Sequence, residues 1–189
     1  MSAAADYPRR HRLTVDDYYR MAEVGILAPD ARVELIDGEI IDMAPPGSPH
    51  ASVVHRLNEV LVRAVGDRAT VLVQNPVRLS EYSEPQPDLA LLRRREDFYG
   101  ERHPRPADVL LIIEVAASSL RFDRDTKLPL YAEHGIPEVW LVDLQGKRLV
   151  RHRVPERGAY TLVDVLDVGA PLEVGALPGL VLDLQRLFG

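Results

Sequence analysis

The chain has 189 residues, of which 46% are hydrophobic and 28% are charged, a composition typical of one soluble globular domain. Its formal net charge of −6 and pI near 5.5 argue against a protein that coats nucleic acid through bulk charge alone. Because the chain has no cysteine, disulfides and thiolate metal ligands are excluded.

The N-terminus and the hydropathy pattern bear on where the protein works. Residues 1–12 are polar and are predicted to form a short flexible tail, followed by a single domain over 13–189. They contain no apolar stretch of signal-peptide length, and no apolar run in the chain approaches the roughly 18 residues that span a bilayer. We therefore expect a cytoplasmic protein without a membrane partner.

The N-terminal third of the sequence predicts a helix, a hairpin and a second helix. Thr14, with Asp17 three positions on, is typical of a helix cap and first turn. An Asp-Gly pair at 37–38 separates two β-type runs, which is a strong signal for a tight hairpin. Ser48 is predicted to cap a helix over 49–65, where apolar residues recur at helical spacing.

The rest of the chain alternates strands with one short helix. The predicted strands are 70–80, 88–92, 109–116 and 138–144, with a helix at 126–135 and strand-like pieces in the C-terminal tail. The almost uniformly apolar run at 109–116 suits a strand covered on both faces. Strand, helix and strand in succession imply a parallel crossover. We therefore predict an α/β protein, an α+β mixed sheet with helices packed on it.

Two carboxylates and a lysine stand at the edges of these elements. Asp88 begins one predicted strand and Glu114 lies near the end of the next, so the two can meet if the strands are antiparallel. Lys127 is in the opening turns of the following helix. An acidic residue at a strand end is usually solvated or salt-bridged. Glu114 is harder to explain in that way, because it interrupts L-L-I-I-E-V and burying an unpaired carboxylate is costly.

Four segments carry a family resemblance: G-E-I-I-D-M-A-P-P-G-S-P-H, Q-P-D-L-A-L-L, I-I-E-V-A-A-S-S-L-R-F-D-R-D-T-K-L-P-L-Y and H-G-I-P-E-V-W-L-V-D. In this order they resemble the Uma-type restriction endonucleases of the PD-(D/E)XK nuclease superfamily, over roughly residues 13–185. The resemblance implies a restriction-endonuclease-like core, with the hairpin and the C-terminal strands as additions. It also implies a Mg²⁺ ion, with Mn²⁺ as an alternative, held by Asp88 and Glu114, and hydrolysis of phosphodiester bonds in DNA.

The sequence departs from the superfamily pattern at the lysine. The usual position, two residues after the second carboxylate, is Ala116 in this chain. The resemblance to Uma-type sequences instead maps the lysine to Lys127, where it would stabilise charge on the phosphoryl group or orient the attacking water. A second departure, A-A-S-S-L at 116–120 where the family reads S-P-S-T, bears on loop geometry.

Several further residues are candidates for supporting roles. His50 and Gln86 match recurring positions of the family and could touch substrate or order the metal shell, although capping and turn roles fit equally well. Tyr131 lies four residues after Lys127 on the same helical face, where packing is the commoner role. Glu34 and Glu39 flank the hairpin turn, and one of them could supply a third carboxylate; Glu39 is taken as the supporting residue.

The basic loop 93–106 contains two aromatic residues and could follow a phosphate backbone, but a solvated loop is the better interpretation because three acidic residues dilute its charge. Trp140 is expected in the core.

A homodimer is expected, since cutting both strands of a duplex suits a two-fold pair. Two alternatives stay open: a catalytically silent DNA-binding or protein-interaction module of the same fold, and a metal-dependent phosphoesterase acting on RNA or nucleotides.

Overall fold

The computed structural model describes residues 10–189, so most of the tail predicted for residues 1–12 lies outside the described residues. The helices are α1 (Val15–Glu23), α2 (Ser48–Val65), α3 (Leu120–Phe122) and α4 (Leu128–Glu133), with a π-helical turn (Asp123–Lys127) joining the last two. The strands are β1 (Val33–Ile36), β2 (Glu39–Asp42), β3 (Ala69–Val73), β4 (Leu89–Arg93), β5 (Val109–Ala116), β6 (Glu138–Asp143), β7 (Arg148–Glu156), β8 (Ala159–Leu166), β9 (Leu172–Glu173) and β10 (Val181–Leu182).

The first helix and the hairpin form as the sequence predicts. Thr14 caps α1 in a capping box, accepting from the backbone N–H of Asp17 while the Asp17 carboxylate accepts from the backbone N–H of Thr14. Strands β1 and β2 pair antiparallel across the Asp-Gly turn. Gly38 has φ +80° and lies so close to Arg12 that a Cβ atom would fall 2.6 Å from the Arg12 Cβ, which explains the glycine.

Helix α2 forms where its apolar periodicity predicts, but the predicted cap is wrong. Gly47 is the N-cap residue, no side chain caps the helix, and Ser48 and Pro49 lie inside the first turn. Proline tolerates that position because its missing N–H would have no partner there. The buried face includes Leu57 and Leu61, both 0% exposed, and burial of such a side chain contributes about 1.5–3 kcal/mol.

A six-stranded mixed sheet in the order β3-β4-β5-β6-β7-β8 forms the centre of the molecule. Strand β5 is antiparallel to β4 and parallel to β6, so the chain crosses over between β5 and β6 through α3, the π turn and α4. The strand predicted over 70–80 ends at Val73, because Gln74 has φ +47° and Pro76 has no N–H to donate.

The crossover helix starts earlier than predicted, at Leu120 instead of residue 126. Its π turn is closed by a hydrogen bond from the N–H of Leu128 to the carbonyl of Asp123, five residues back. Pro129 follows at once, and its lack of an N–H removes one α-helical bond at this point. The wide turn lets Asp123 and Lys127 both be buried.

Two apolar cores cover the two faces of the sheet. One face packs against α2 and the C-terminal residues, and it contains Trp140, which is 0% exposed and donates its indole N–H to Glu138. The other face packs against α4, and the core between them contains Leu141 of β6 and Tyr131 of α4. None of the helices in residues 10–189 is long and apolar enough to cross a membrane.

Candidate active site

Asp88 and Glu114 face each other across the antiparallel pair β4 and β5. The register pairs Leu89 with Ile113, so the next positions outward are Asp88 and Glu114. Residues directly opposite in such a pair project from the same face with Cβ atoms about 4.5–5.5 Å apart. Glu114 Oε2 lies 3.4 Å from the backbone nitrogen of Asp88. The predicted antiparallel meeting of the two carboxylates is therefore present, on the α4 face of the sheet.

Asp88 is held by three donors. Its Oδ2 accepts from the backbone N–H of Val115 at 2.9 Å and lies 3.1 Å from His50 Nε2, while its Oδ1 accepts from the Gln74 amide at 3.1 Å. Burial opposes ionisation, but the contacts with His50, Val115 and Gln74 outweigh it and hold the pKa of Asp88 below its usual value. The Asp88 carboxylate in turn raises the pKa of His50.

Glu114 is 4% exposed and interacts with two side chains of the crossover helix. Its Oε1 accepts from the Tyr131 hydroxyl at 2.6 Å and lies 3.3 Å from Lys127 Nζ. Burial raises the pKa of Glu114 to about 8, although the Lys127 ammonium acts in the opposite direction. A divalent cation would therefore displace a proton that this carboxyl binds near neutral pH.

Lys127 lies between two carboxylates. Its Nζ is 3.0 Å from Glu34 Oε2 and 3.3 Å from Glu114 Oε1, and the residue is 5% exposed. Burial favours the neutral amine, but Glu114, Glu34 and the nearby Asp123 together raise the pKa of Lys127 above its usual value. The side chain therefore carries a positive charge beside the carboxylate pair, as the mapped lysine requires.

The structure places Glu34, and not Glu39, in this group of side chains. Glu39 is exposed on β2, where it forms an ion pair with Arg10 at 3.0 Å, and it does not line the cleft. Glu34 is 2% exposed because all four residues of β1 are buried. Glu34, like Glu114, interrupts an apolar run, V-E-L-I, and that pattern is the signal in the sequence for a buried carboxylate.

The other predicted supporting residues converge on the same place with different contacts. Tyr131 is fully buried and donates to Glu114, which is a polar role as well as packing. His50 contacts Asp88 from the first turn of α2. Gln86 faces inward: its backbone N–H donates to Glu34 Oε2 at 3.0 Å and its amide donates to the carbonyl of Val33 at 3.2 Å.

A compositional signal also singles out Lys127. The chain contains two lysines, Lys127 and Lys147, against 21 arginines, the remainder of the 23 basic residues. A sequence that otherwise uses arginine for nearly every cation has lysine at this buried position. An ammonium is a compact charge with three freely oriented donors, which a guanidinium cannot reproduce in the same space.

The candidate site residues line one cleft of about 440 Å³; they are Glu34, His50, Gln86, Asp88, Glu114 and Lys127. Its walls come from residues 41–47, at the end of β2 and after it, and from Val115 and residues 117–119, at the end of β5 and after it, with Phe122 and Arg32 contributing side chains. A larger depression of about 720 Å³ lies between α2 and the C-terminal residues, and it contains none of the predicted site residues. The smaller cleft is therefore the candidate active site, because it contains Asp88, Glu114 and Lys127.

The basic loop 93–106 does not take part in the cleft. It follows β4 at the end away from Asp88, and the five residues of β4 span about 17 Å at about 3.3 Å each. Within the loop Arg95 pairs with Asp97 at 2.7 Å. The loop therefore balances part of its own charge, which favours the solvated-loop interpretation.

The donor set fits a hard cation that keeps part of its water shell. Asp88 and Glu114 offer carboxylate oxygens, and among residues 10–189 no three His, Asp or Glu side chains converge into a cage. Mg²⁺ is usually bound through one or two carboxylates together with waters and substrate phosphate. Two facing carboxylates at a cleft satisfy that requirement.

Comparison with known proteins gives the family. A family model with the description "Putative restriction endonuclease", Uma2, matches residues 15–185. The chain belongs to this family. A solved structure described as "a putative nuclease belonging to DUF820", from Anabaena variabilis ATCC 29413, matches 93% of this chain and 97% of its own with a TM-score of 0.71. At 18% identity this likeness shows the fold. No curated protein matches the sequence. The family is described as one of restriction endonucleases, and the fold is the one that the solved structure shares.

Proposed function

We propose that this Uma2 protein is a metal-dependent endonuclease that hydrolyses phosphodiester bonds in DNA. The observation that supports it is the facing pair Asp88 and Glu114, with the Lys127 ammonium 3.3 Å from Glu114, inside a cleft. Two carboxylates for a hard cation and one cation for a phosphoryl oxygen are the parts that phosphodiester hydrolysis needs.

Asp88 and Glu114 would hold the Mg²⁺ or Mn²⁺ ion. When bound, the ion polarises the phosphoryl oxygen and lowers the pKa of a water molecule. The protein's contribution is orientation: the Val115 N–H and His50 fix the Asp88 carboxylate, and the Tyr131 hydroxyl fixes that of Glu114. Because these partners are part-buried or buried, the carboxylates need little rearrangement before the ion binds.

Lys127 would stabilise the negative charge that develops on the phosphoryl group. Its Nζ donates to Glu114 and lies within ion-pair distance of Glu34, and an ammonium has three donors in all. Because Lys127 also lines the cleft, a remaining N–H would serve an oxygen of the phosphoryl group there. A fixed ammonium in a site that excludes bulk water is more effective than one on the surface.

Cleavage of plasmid DNA in the presence of Mg²⁺ or Mn²⁺ tests the proposal. Glu114→Gln keeps the size of the side chain and removes a metal ligand, so we expect the cleavage rate to fall by about 100-fold or more, as losing an electrostatic catalytic group does. Glu39→Gln is the matched control, because the same chemical change is made on an exposed residue outside the cleft. If the wild-type protein cuts plasmid DNA no faster than E114Q does, the proposed endonuclease activity is refuted.

The same assay separates the alternatives. Running it on DNA, RNA and nucleotide monoesters identifies the substrate, because the carboxylates and the lysine act on a phosphodiester whichever sugar carries it. A protein that binds DNA but cuts none of these substrates with either metal would be the catalytically silent module.

A further inference from the structure

Glu34 is a buried carboxylate that no step of the proposed hydrolysis uses. It lies on β1, outside the six-stranded sheet, and is 2% exposed. Its Oε2 receives the backbone N–H of Gln86 and lies 3.0 Å from Lys127 Nζ. The contact to Lys127 is shorter than the 3.3 Å contact between Lys127 and Glu114. The hairpin therefore provides the nearer of the two carboxylates that hold the lysine.

Two carboxylates hold an ammonium differently from one. A buried ammonium beside Glu114 alone would be drawn onto that carboxylate, because charges attract strongly where the surroundings are of low polarity. Glu114 would then have its charge neutralised by the lysine instead of by a cation. Glu34, at 3.0 Å, also attracts the ammonium and leaves it shared between the two carboxylates.

The position of Glu34 is itself fixed. The N–H of Glu84 donates to the carbonyl of Leu35 at 2.7 Å, and the N–H of Gln86 donates to Glu34 at 3.0 Å, so β1 is bonded to the segment that leads into Asp88. Pro85 and Pro87 restrict the backbone of that segment. Glu34 therefore contacts both Lys127 of the crossover helix and the segment that leads into Asp88.

We propose that Glu34 is a positioning residue for Lys127, holding the ammonium between β1 and Glu114 so that its third N–H is directed into the cleft at the phosphate. This role rests on the proposed nuclease function. The hairpin then contributes Glu34 to the site, although it lies outside the central sheet.

The first test measures whether Glu34 holds Lys127, and it does not depend on nuclease activity. Lys127 and Lys147 are the two lysines of the chain, and Lys147 is exposed on a turn. Brief acetylation with acetic anhydride at one fixed pH, followed by peptide mass spectrometry, gives the labelling of Lys127 relative to Lys147 in the same molecule. We expect a low ratio in the wild type and a rise of about threefold or more in Glu34→Gln, with no change in Glu39→Gln. An unchanged ratio in E34Q overturns the proposal.

The second test separates positioning from metal binding. We expect E34Q to lower kcat for metal-dependent DNA cleavage by about tenfold or more, with KM and the Mn²⁺ affinity measured by calorimetry each within about threefold of the wild type. A wild-type kcat would overturn the proposal, and so would a tenfold loss of Mn²⁺ affinity, which would make Glu34 a metal ligand. Glu34→Asp retains the charge with a shorter reach and is expected to recover part of kcat.

The two tests keep the proposals distinguishable. If the wild type cleaves nothing, the nuclease function fails while the labelling ratio still decides whether Glu34 holds Lys127. Circular dichroism and thermal unfolding establish that each variant is folded; if E34Q does not fold, the same labelling and kinetic comparisons are made with E34D, where a wild-type ratio and a wild-type kcat together overturn the positioning role.

Discussion

At the scale of single residues, the site concentrates charge that water normally stabilises. Glu34, Glu114, Asp123 and Lys127 are each no more than 5% exposed, so three acidic side chains are buried with one lysine. Burial raises the pKa of Glu114 to about 8 and also raises the pKa of Asp123. The surplus of negative charge is unfavourable in the metal-free protein and favourable once a divalent cation is bound.

The raised pKa of Glu114 makes stability depend on pH. The folded protein holds this proton up to about pH 8, whereas in the unfolded chain the group titrates near 4.5. Its contribution to stability is therefore present below about pH 4.5 and is lost as the pH rises through about 8. We expect Glu114→Gln to lack this loss, so that without divalent metal the free energy of unfolding of E114Q rises relative to that of the wild type between about pH 4.5 and 8.

Urea unfolding at several pH values measures this difference. The control is Glu39→Gln, whose stability should follow the wild type across the same range because Glu39 is exposed. A stability gap between E114Q and the wild type that stays constant with pH would contradict the assignment of a proton to Glu114.

At the scale of elements, the π turn decides which side chains of the crossover helix reach the site. It buries Asp123 and Lys127, and Tyr131 lies one turn further on with its hydroxyl on Glu114. Deleting the exposed Arg124 would close the turn as α-helix and rotate the preceding part by about 100° relative to the part that follows. Leu128 and Tyr131 are packed in the core, so the preceding part, with Asp123, would move.

We expect the Arg124 deletion to remain folded and to lower the rate of DNA cleavage by about tenfold or more. Arg124→Ala is the matched control, since it changes the same exposed side chain and leaves the length of the turn intact. Full activity in the deletion would show that the π turn has no part in arranging the site.

The elements also show what sequence can and cannot predict. The hairpin, α1, α2 and the apolar strand β5 follow from turn residues, caps and periodicity, and the facing carboxylates follow from strand order. The start of the crossover helix does not follow from the sequence, because Asp123 and Lys127 occupy buried positions that a helical pattern fills with apolar residues. Spacing from the turn does not distinguish Glu34 from Glu39, because it does not tell which side chain the neighbouring segments cover.

At the scale of the whole molecule, the two faces of the sheet have different tasks. The face under α2 is an apolar core, and the face under α4 combines an apolar core with the candidate site. Residues 10–189 hold one candidate site, which bears on how a duplex would be cut. We expect a homodimer, because two sites related by a two-fold axis match the two antiparallel strands of DNA.

Sedimentation at micromolar concentration, with and without DNA, measures the assembly. The expected result is a mass of twice 21.2 kDa for the protein alone, and two chains per duplex in the complex with DNA. Glu39→Gln and wild type should behave alike in this measurement, since the substitution is conservative in size. A monomer under both conditions would mean that each strand of a duplex is cut in a separate encounter.

The burial of Trp140 has a consequence for spectroscopy. It is the only tryptophan of the chain, it is fully buried, and it projects to the α2 face because it pairs with Ile113, while Glu114 projects to the other. Intrinsic tryptophan emission therefore reports from one known point that the cleft does not touch. The emission will change when the structure around α2 unfolds and stay nearly constant when metal or DNA binds in the cleft. Fluorescence of one sample therefore distinguishes unfolding from binding at the site.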